Sequence, residues 1–103
     1  MDDAKKHDSG KPRFDLVPHG SLLAIAKVMT YGAEKYGERN WEKGLPMGRL
    51  YAAAQRHLIA WWSGEDTDSE TDESHLAHAC SCLMMILQYV EDGRHELDDR
   101  VLK

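Results

Sequence analysis

The sequence lacks several features that would assign it to a familiar class of proteins. It has only two cysteines, Cys80 and Cys82, which a helix would place about 200° apart, so a disulfide between them is not expected. The longest strictly apolar run is Cys82–Leu87, far shorter than the roughly 20 residues that span a bilayer. The polar start MDDAKKHDSGKPR does not resemble a secretory signal. These absences predict a soluble, cytoplasmic protein.

The chain also lacks a surplus of basic residues, internal repeats and low-complexity tracts. Its formal net charge is −5 and its pI is near 5.6, which argues against a nucleic-acid-binding domain with a basic stripe. The 103 residues, of which 42% are hydrophobic and 30% charged, predict one globular domain over 1–103. Because a fold of this size buries only about 60–65% of its unfolded surface, a subunit partner or a bound metal is expected.

Apolar residues recur at helical spacing in three segments, and no segment alternates as a strand does, so the sequence predicts an all-α fold. Residues 1–20 are expected to form an extended arm and residues 94–103 a polar tail. The arm holds one small apolar anchor, formed by Phe14, Leu16 and Val17. The first helix is expected between Ser21 as N-cap and Gly37 as C-terminal glycine, and Gly32 could interrupt it.

The second helix has the clearest pattern in the chain. It is expected to open at Pro46 and to stop at Ser63–Gly64. Its apolar stripe comprises Leu50, Ala53, Ala54, His57, Leu58 and Trp61. The third helix is expected from an N-cap at Ser74 to about Val90, and its stripe comprises His75, His78, Ala79, Cys82, Leu83, Ile86 and Val90. The short connection predicts that these two helices pack antiparallel.

Three histidines lie where the second and third helices are expected to meet. Antiparallel packing would bring His57 and His78 to a similar depth, with His75 nearer the connection. Each could be a core histidine with one hydrogen bond. Three that converge beside carboxylates favour a metal site instead, because imidazole is the commonest metal ligand near neutral pH.

The connection EDTDSETDE at 65–73 carries six acids in nine residues. Such a run is usually a solvated surface segment. Its position between the histidine-bearing helices favours neutralisation by cations, and oxygen-rich sites of this kind prefer Mg²⁺ or Mn²⁺. The spacing does not fit an EF-hand, which needs glycine at the sixth loop position and glutamate at the twelfth.

Basic and aromatic side chains form a second group of candidate residues. They are Lys35, Tyr36, Arg39, Asn40 and Trp41 after the first helix, and Arg56 beside His57. An aromatic face can stack on a nucleobase, asparagine can read a base edge, and lysine or arginine can hold phosphate. Trp41 could equally anchor a loop, and Arg56 could pair with an acid. Together with the acidic connection, the group predicts a pocket for a phosphorylated, base-containing small molecule.

A zinc site is an alternative interpretation. His75, His78 and Cys82 follow an H-x₂-H-x₃-C pattern on one helical face, and His57 could be the fourth ligand. Against this, structural zinc sites usually take paired ligands from loops, and a buried cysteine is more often a small apolar residue. The protein would then be a zinc-stabilised helical adaptor.

Five strings of the sequence resemble the dATP/dGTP diphosphohydrolase family of phages and bacteria. They are GKPRFDLVP at 10–18, YGAEKYGERNW at 31–41, QRHLIAWWSGED at 55–66, SHLAHA at 74–79 and DDR at 98–100. Family members are small, MazG-like, all-α nucleotide pyrophosphohydrolases. The resemblance implies hydrolysis of a purine deoxynucleoside triphosphate to monophosphate and pyrophosphate with Mg²⁺ or Mn²⁺. It also implies assembly of helical bundles into a homodimer or homotetramer and, in some phages, a role in the 2-aminoadenine DNA pathway.

One departure from the broader MazG superfamily affects the expected metal site. The EExxE and ExxD carboxylates of that superfamily are replaced here by Arg56–His57 and by the HLAH of 75–78. The resemblance therefore implies a different set of metal ligands, namely Glu65, Asp68, Glu70, His75 and His78. The pair Glu34 and Glu38 is a weaker choice, because Gly37 is expected to break the helix between them.

The same resemblance implies roles for the remaining candidates. The expected catalytic residues are His57, Glu65 and Asp68. The expected substrate-binding residues are Lys11, Lys35, Tyr36, Asn40, Trp41 and Arg56, with Arg13 as a further cation. Loop acids and histidines would hold the metal, Trp41 or Tyr36 would stack on the purine, and Asn40 would read its edge. A catalytically weak module that binds nucleotide or metal is the alternative function.

Overall fold

A computed structural model describes residues 3–101, which form three α-helices joined by short connections. The helices are α1 (His19–Tyr36), α2 (Met47–Trp62) and α3 (His75–Glu91). Short 3-10 turns lie at Phe14–Leu16, Asn40–Lys43 and His95–Leu97. Within residues 3–101 the extended pairing is limited to one isolated bridge between Thr67 and Ser74. The prediction of an all-α fold is confirmed.

The ends of the helices follow local backbone chemistry, with one correction. α1 begins at His19 rather than after Ser21, because Pro18, with φ of −65°, is already the N-cap residue. The prediction of Ser21 as N-cap is therefore wrong, and α1 also continues through Gly32 without a break. Gly37 ends α1 with φ of 99°, as expected for a C-terminal glycine. Ser74 caps α3 as predicted, since its side chain accepts the Leu76 and Ala77 N–H groups.

α2 and α3 form an antiparallel hairpin, as the sequence predicted. Met47 and Leu50 near the start of α2 pack with Tyr89 near the end of α3. At the other end of the hairpin, the rings of His57 and His78 stack. α1 packs against α3. Its C-terminal half reaches the connection between α2 and α3, where Lys35 forms an ion pair with Glu70. The hairpin therefore holds its packed core at one end and its histidines at the other.

Tyr89 is the centre of the packed end. It is only 1% exposed, and its ring lies 5.9 Å from that of Trp41. Its hydroxyl donates to the Trp41 carbonyl and accepts the Leu45 N–H at 3.2 Å. Arg94 covers the ring and donates to the Glu42 carbonyl at 2.9 Å. One buried tyrosine thus joins the end of α3 to the connection between α1 and α2.

The C-terminal segment packs against the helices instead of forming a free polar tail. Leu97 packs against the core around Tyr89. Asp99 Oδ1 accepts the Gly48 N–H at 2.7 Å, which caps the start of α2, where Pro46 offers no side-chain acceptor. A Cβ at position 48 would lie 2.8 Å from Asp99 Oδ2, so a larger residue there would have to displace this carboxylate. The segment predicted as a polar tail therefore makes defined contacts with the helices through Leu97 and Asp99.

The N-terminal arm differs from the sequence prediction in its apolar residues. Phe14 is 82% exposed and Leu16 67% exposed, and Val17 is also exposed. They therefore do not anchor the arm within this chain. The arm is shaped by local turns, including the Lys11 N–H bond to the Asp8 carbonyl and an exposed ion pair between Arg13 and Asp15.

The hairpin has a large apolar surface that its own chain does not cover. Most of the exposed apolar residues that form it come directly after a residue that is buried or partly buried, and one position along a helix turns a side chain by about 100°. The exposed residues are Tyr51, Leu58 and Trp62 on α2 and Leu76, Leu83, Leu87 and Val90 on α3. Equal rotation in antiparallel helices brings both rows to the same side of the hairpin, here called the apolar side.

The apolar side corrects several predicted core positions. The sequence assigned Leu58, Leu83 and Val90 to the buried stripes, but they are exposed, as is Leu22 on α1. Helical periodicity identifies an apolar face without saying how many neighbours cover it. No described helix is long and apolar enough to cross a membrane.

Candidate active site

The three histidines of α2 and α3 meet beside the acidic connection. The rings of His57 and His78 stack with centroids 4.4 Å apart and planes 7° apart. The Nδ1 atoms of His57 and His75 lie 2.9 Å from each other. His75 is 4% exposed, and the other two are partly buried. The predicted convergence of these residues is observed, and it follows from their places one to three turns from the hairpin connection.

The connection folds into a rigid loop around the carboxylate of Asp68. Asp68 Oδ2 accepts the N–H groups of Glu70 and Thr71, at 3.1 and 3.0 Å, and the Thr71 hydroxyl at 3.3 Å. The Asp68 backbone also bonds with those of Asp72 and Glu73. Within residues 3–101, the other oxygen, Oδ1, accepts no hydrogen bond. The loop therefore fixes the position of Asp68 and leaves one of its oxygens available.

His57, Asp68 and His75 form a group that could hold a metal ion. Each offers a ligand atom, and these atoms lie within 4.8 Å of one another. The Nε2 atom of His75 is buried and makes no hydrogen bond, although Glu65 Oε1 lies 3.3 Å away. An unsatisfied buried nitrogen is costly in a folded protein. The imidazoles of His57 and His75 and the fixed Asp68 carboxylate are together a donor set that fits a divalent cation.

The environment of the histidines favours their neutral forms. Burial, followed by the nearby His78 and His75, lowers the pKa of His57 below its usual value of 6.5. Burial likewise lowers the pKa of His78, although Asp68 opposes the shift. At Asp68, burial acts to raise the pKa, but the N–H groups of Thr71 and Glu70 outweigh it and hold the pKa low. At neutral pH these shifts favour uncharged rings at His57 and His78 and an ionised carboxylate at Asp68, the protonation states that a metal site needs.

These shifts predict that the metal-free protein loses stability in mild acid. Because His57 and His78 have lowered pKa values when folded, the unfolded chain binds more protons as pH falls through about 6.5. The unfolding midpoint in EDTA is expected to fall between pH of about 7.5 and 5.5, as measured by circular dichroism on heating. His57→Gln and His78→Gln should flatten the pH dependence over that interval, whereas the exposed His7→Gln should leave it unchanged. If the unfolding midpoint changed with pH equally in all variants, the pH dependence could not be assigned to His57 and His78.

Glu70 points to α1 and not to the histidines. Its Oε1 accepts the Lys35 ammonium at 2.5 Å and the Tyr31 hydroxyl at 3.0 Å. The bond from Lys35 has the larger effect and the bond from Tyr31 the smaller, and both lower the pKa of Glu70. The same ion pair raises the pKa of Lys35. The group His57–Asp68–His75 does not include Glu70, which was predicted as a metal ligand. Lys35 and Glu70 instead link α1 to the loop beside the site.

His78 and Glu65 also stand beside the three-residue group. His78 Nε2 lies 2.7 Å from the Thr71 hydroxyl, and its ring supports that of His57. Glu65 approaches the buried edge of His75 and is about half exposed. Both were predicted as metal ligands, and in this structure their contacts are with other side chains of the site.

The predicted substrate-binding residues lie in different parts of the structure. Trp41 packs against the core at the opposite end of the hairpin, and half-buried Asn40 begins the same 3-10 turn. Tyr36 is 61% exposed, with the Lys35 ammonium 5.2 Å from its ring centre. Arg56 is exposed on α2 next to His57 and forms no ion pair with residues 3–101. Lys11 lies in the exposed arm. Lys35 and Arg56 thus lie beside the histidine end of the hairpin, and Trp41 lies at the other end.

The two alternative metal sites are not assembled. Cys82 packs against the core around Tyr89, where burial raises the pKa of its thiol, so it does not join the histidines as the zinc pattern required. Glu34 lies within α1 and Glu38 beyond its end at Gly37, and neither belongs to the metal-competent group found among residues 3–101.

Sequence reasoning missed two residues that shape the site. Thr71 bonds to both Asp68 and His78, and Tyr31 bonds to Glu70. Two hydroxyl residues just before a helix, Thr71 and Ser74, could have drawn attention to local side-chain bonding in the loop. Nothing in the sequence connects Tyr31 to a loop acid 39 residues away.

Comparison with known proteins gives the same family as the sequence resemblance. A family described as "dATP/dGTP diphosphohydrolase, N-terminal" matches residues 1–100. A curated relative from Salmonella phage PMBT28, named dATP/dGTP diphosphohydrolase, is 38% identical over 95 residues. The match covers 92% of this chain but only 32% of the relative, so the chain spans about a third of that protein's length. No solved structure matches. The chain therefore belongs to the family of dATP/dGTP diphosphohydrolase N-terminal domains.

Proposed function

We propose that this chain carries a metal-dependent site that hydrolyses purine deoxynucleoside triphosphates, dATP and dGTP, to the monophosphate and pyrophosphate. The observation that supports it most is the group of His57, Asp68 and His75, whose ligand atoms lie within 4.8 Å of one another. The substrate is taken from the name of the relative. The relative's phage origin supports a role in phage purine-nucleotide metabolism in the host cytoplasm, with the 2-aminoadenine pathway as one use of the product.

The proposed mechanism assigns distinct tasks to the residues of the site. When bound by His57, Asp68 and His75, Mg²⁺ or Mn²⁺ would supply charge stabilisation for the phosphoryl oxygens. The neutral ring of His57, with its lowered pKa, can accept a proton from the attacking water. His78 and Thr71 keep that ring and Asp68 in position. If Nδ1 of His57 binds the metal, its proton lies on Nε2 and the ring cannot accept another, so the two roles exclude each other. Loss of the Co²⁺ band in His57→Gln, tested below, would assign His57 the ligand role.

Cations beside the site are proposed to hold the triphosphate. Arg56 is exposed and free of ion pairs within residues 3–101, and Lys35 is shared with Glu70 at the edge of the loop. Guanidinium and ammonium groups stabilise the charge that develops on transferring phosphoryl groups. Tyr36, exposed beside Lys35, can stack on the purine, a role that Trp41 in the core is less suited to fill.

Product analysis tests this proposal directly. The protein would be incubated with each of the four deoxynucleoside triphosphates, with Mn²⁺ or Mg²⁺ and in EDTA, and the products separated by chromatography. Purine monophosphate and pyrophosphate, absent in EDTA, are the expected result. Orthophosphate and diphosphate as products would contradict the proposed cleavage at the α-phosphorus.

The second candidate function is a module that binds nucleotide or metal without turnover. It is favoured by one observation, that the metal-competent group includes a single carboxylate, that of Asp68. It predicts that dATP or dGTP with metal raises the unfolding midpoint while no product forms. Stabilisation with product supports the hydrolase, and stabilisation without product supports the binding module.

We further propose that the chain assembles into a homodimer or homotetramer through the apolar side of the hairpin. Leu83, Leu87 and Val90 are each more than half exposed, and Trp62 is 82% exposed. Contiguous apolar surface of this extent is typical of an interaction site. A second hairpin laid against it would complete a four-helix arrangement with a shared core.

Charge on the apolar side is expected to separate the subunits. The double variant Leu83→Glu/Leu87→Glu should convert the assembly to monomers, as measured by light scattering after size-exclusion chromatography. The matched control Leu16→Glu alters an equally exposed leucine on the arm and should leave the assembly intact. A monomeric wild-type protein at high concentration would contradict the proposed assembly.

A further inference from the structure

The spacing of the site's donor atoms indicates which class of cation it takes, an inference that rests on the proposed metal site. Two ligands at right angles on an ion with metal–nitrogen bonds of about 2.1 Å would be about 3.0 Å apart. The Nδ1 atoms of His57 and His75 are 2.9 Å apart. In the absence of a cation, one of them must carry a proton to avoid repulsion between two lone pairs. A single ion could instead accept both lone pairs with little movement.

The donor set differs from the one that Mg²⁺ prefers. Mg²⁺ is a hard cation that takes oxygen ligands and keeps several waters, whereas imidazole suits first-row transition ions. Two imidazoles and one carboxylate are the donors found in sites for such ions. Glu70, expected to supply a further oxygen, bonds instead to Lys35 and Tyr31, and the metal-competent group found among residues 3–101 includes one carboxylate, that of Asp68. The oxygen-rich site expected from the acidic run is therefore not assembled around these histidines.

Glu65 completes the arrangement from the far side of His75. If Nδ1 of His75 is a ligand, the ring's proton lies on Nε2, which is buried and lacks a hydrogen bond. Glu65 Oε1 is 3.3 Å from this nitrogen, close enough to accept its N–H after a small shift of an exposed side chain. A carboxylate that bonds the outer nitrogen of a ligating histidine fixes the tautomer and strengthens the ligand.

From these contacts we propose that the site binds a first-row transition ion, of the Mn²⁺, Fe²⁺, Co²⁺ or Zn²⁺ class, in strong preference to Mg²⁺. The ligands are Nδ1 of His57, Nδ1 of His75 and a carboxylate oxygen of Asp68. Glu65 is a positioning residue that acts through His75, and not a ligand or a catalytic base.

Metal binding without nucleotide tests the ion class. Titration calorimetry with Mn²⁺ and with Mg²⁺ alone is expected to give at least about 100-fold tighter binding of Mn²⁺, at one ion per chain. Co²⁺ should give a visible absorption band that His57→Gln and Asp68→Asn each abolish, with folding checked by far-UV circular dichroism. Mg²⁺ affinity within tenfold of that for Mn²⁺ would overturn the proposed preference, as would a Co²⁺ spectrum unchanged in both variants.

A pair of matched loop variants tests the role of Glu65. Glu65→Gln is expected to weaken Mn²⁺ binding by about 10- to 100-fold and shift the Co²⁺ band, as loss of an outer-sphere partner does. Asp72→Asn removes the same charge from the same loop and should change affinity by less than about threefold. Asparagine also tolerates the φ of 60° at position 72. Equal effects of the two variants would overturn the positioning role.

The outcomes for the ion and for the proposed hydrolysis are separable. Tight Mn²⁺ binding without any turnover supports the ion assignment and contradicts the hydrolase. Hydrolysis sustained by Mg²⁺ in a protein that does not bind Mn²⁺ overturns the ion assignment and leaves the hydrolase standing.

Discussion

Asp68→Asn is expected to reduce nucleotide hydrolysis by more than about 100-fold while leaving the helical circular dichroism spectrum unchanged. Loss of an outer-sphere partner alone costs metal sites about 10- to 100-fold, so loss of a charged ligand is expected to cost more. Asparagine keeps an oxygen that can accept the N–H groups of Glu70 and Thr71, so the loop should hold its shape. What the substitution removes is the negative charge facing His57 and His75. Steady-state rates with dGTP and dATP at saturating Mn²⁺ provide the measurement.

Glu70→Gln is the matched control for this prediction. Glu70 lies two positions along the same loop, and both changes remove one carboxylate charge. Its contacts are with Lys35 and Tyr31 at the surface, where an ion pair contributes little to stability. We expect its rate to change by less than about threefold. Equal losses of activity in both variants would mean that hydrolysis depends on the total charge of the loop and not on Asp68 as a metal ligand. Full activity of Asp68→Asn would show that the loop is only a solvated connection.

The contrast between Asp68 and Glu70 illustrates how far sequence could predict the site. Helical periodicity and a short connection were enough to predict that His57, His75 and His78 would meet at the loop, because antiparallel packing fixes their depth. The same reasoning could not separate Asp68 from Glu70, and both were predicted as metal ligands. Which carboxylate faces the histidines depends on backbone bonds within the loop, such as those to Asp68 Oδ2, and on α1 reaching Glu70 from elsewhere in the chain.

The fold was predictable to a similar depth. The three helices and the caps at Gly37 and Ser74 follow from local chemistry and were correctly anticipated. The exposure of Leu83 was not anticipated. An apolar stripe on a helix does not reveal whether the surface that packs against it belongs to the same chain. The docking of Asp99 onto Gly48 was also missed, since it joins positions 51 residues apart and the sequence reads there as a polar tail.

Tyr89→Ala is expected to have the largest effect on stability, lowering the free energy of unfolding by about 3–5 kcal/mol. Tyr89 is almost fully buried at the centre of the core that joins α2, α3 and the connection before α2. Since domains of this size are stable by only about 5–15 kcal/mol, this variant should be largely unfolded at moderate urea concentrations. Urea unfolding at fixed protein concentration, in EDTA, measures the change. Tyr36→Ala, at an exposed tyrosine, should stay within about 0.5 kcal/mol of wild type.

Tyr89→Phe separates the hydroxyl from the ring. It keeps the apolar contacts but leaves the Leu45 N–H and the Trp41 carbonyl without their partner, for an expected loss of about 1–3 kcal/mol. Stability equal to wild type would contradict a structural role for these bonds. Tyr89 lies 14 residues along α3 from His75, a distance of about 21 Å in a helix. Mn²⁺ affinity of the folded Tyr89→Phe variant should therefore match wild type, because the end of the hairpin that stabilises the fold is distant from the end that holds the site.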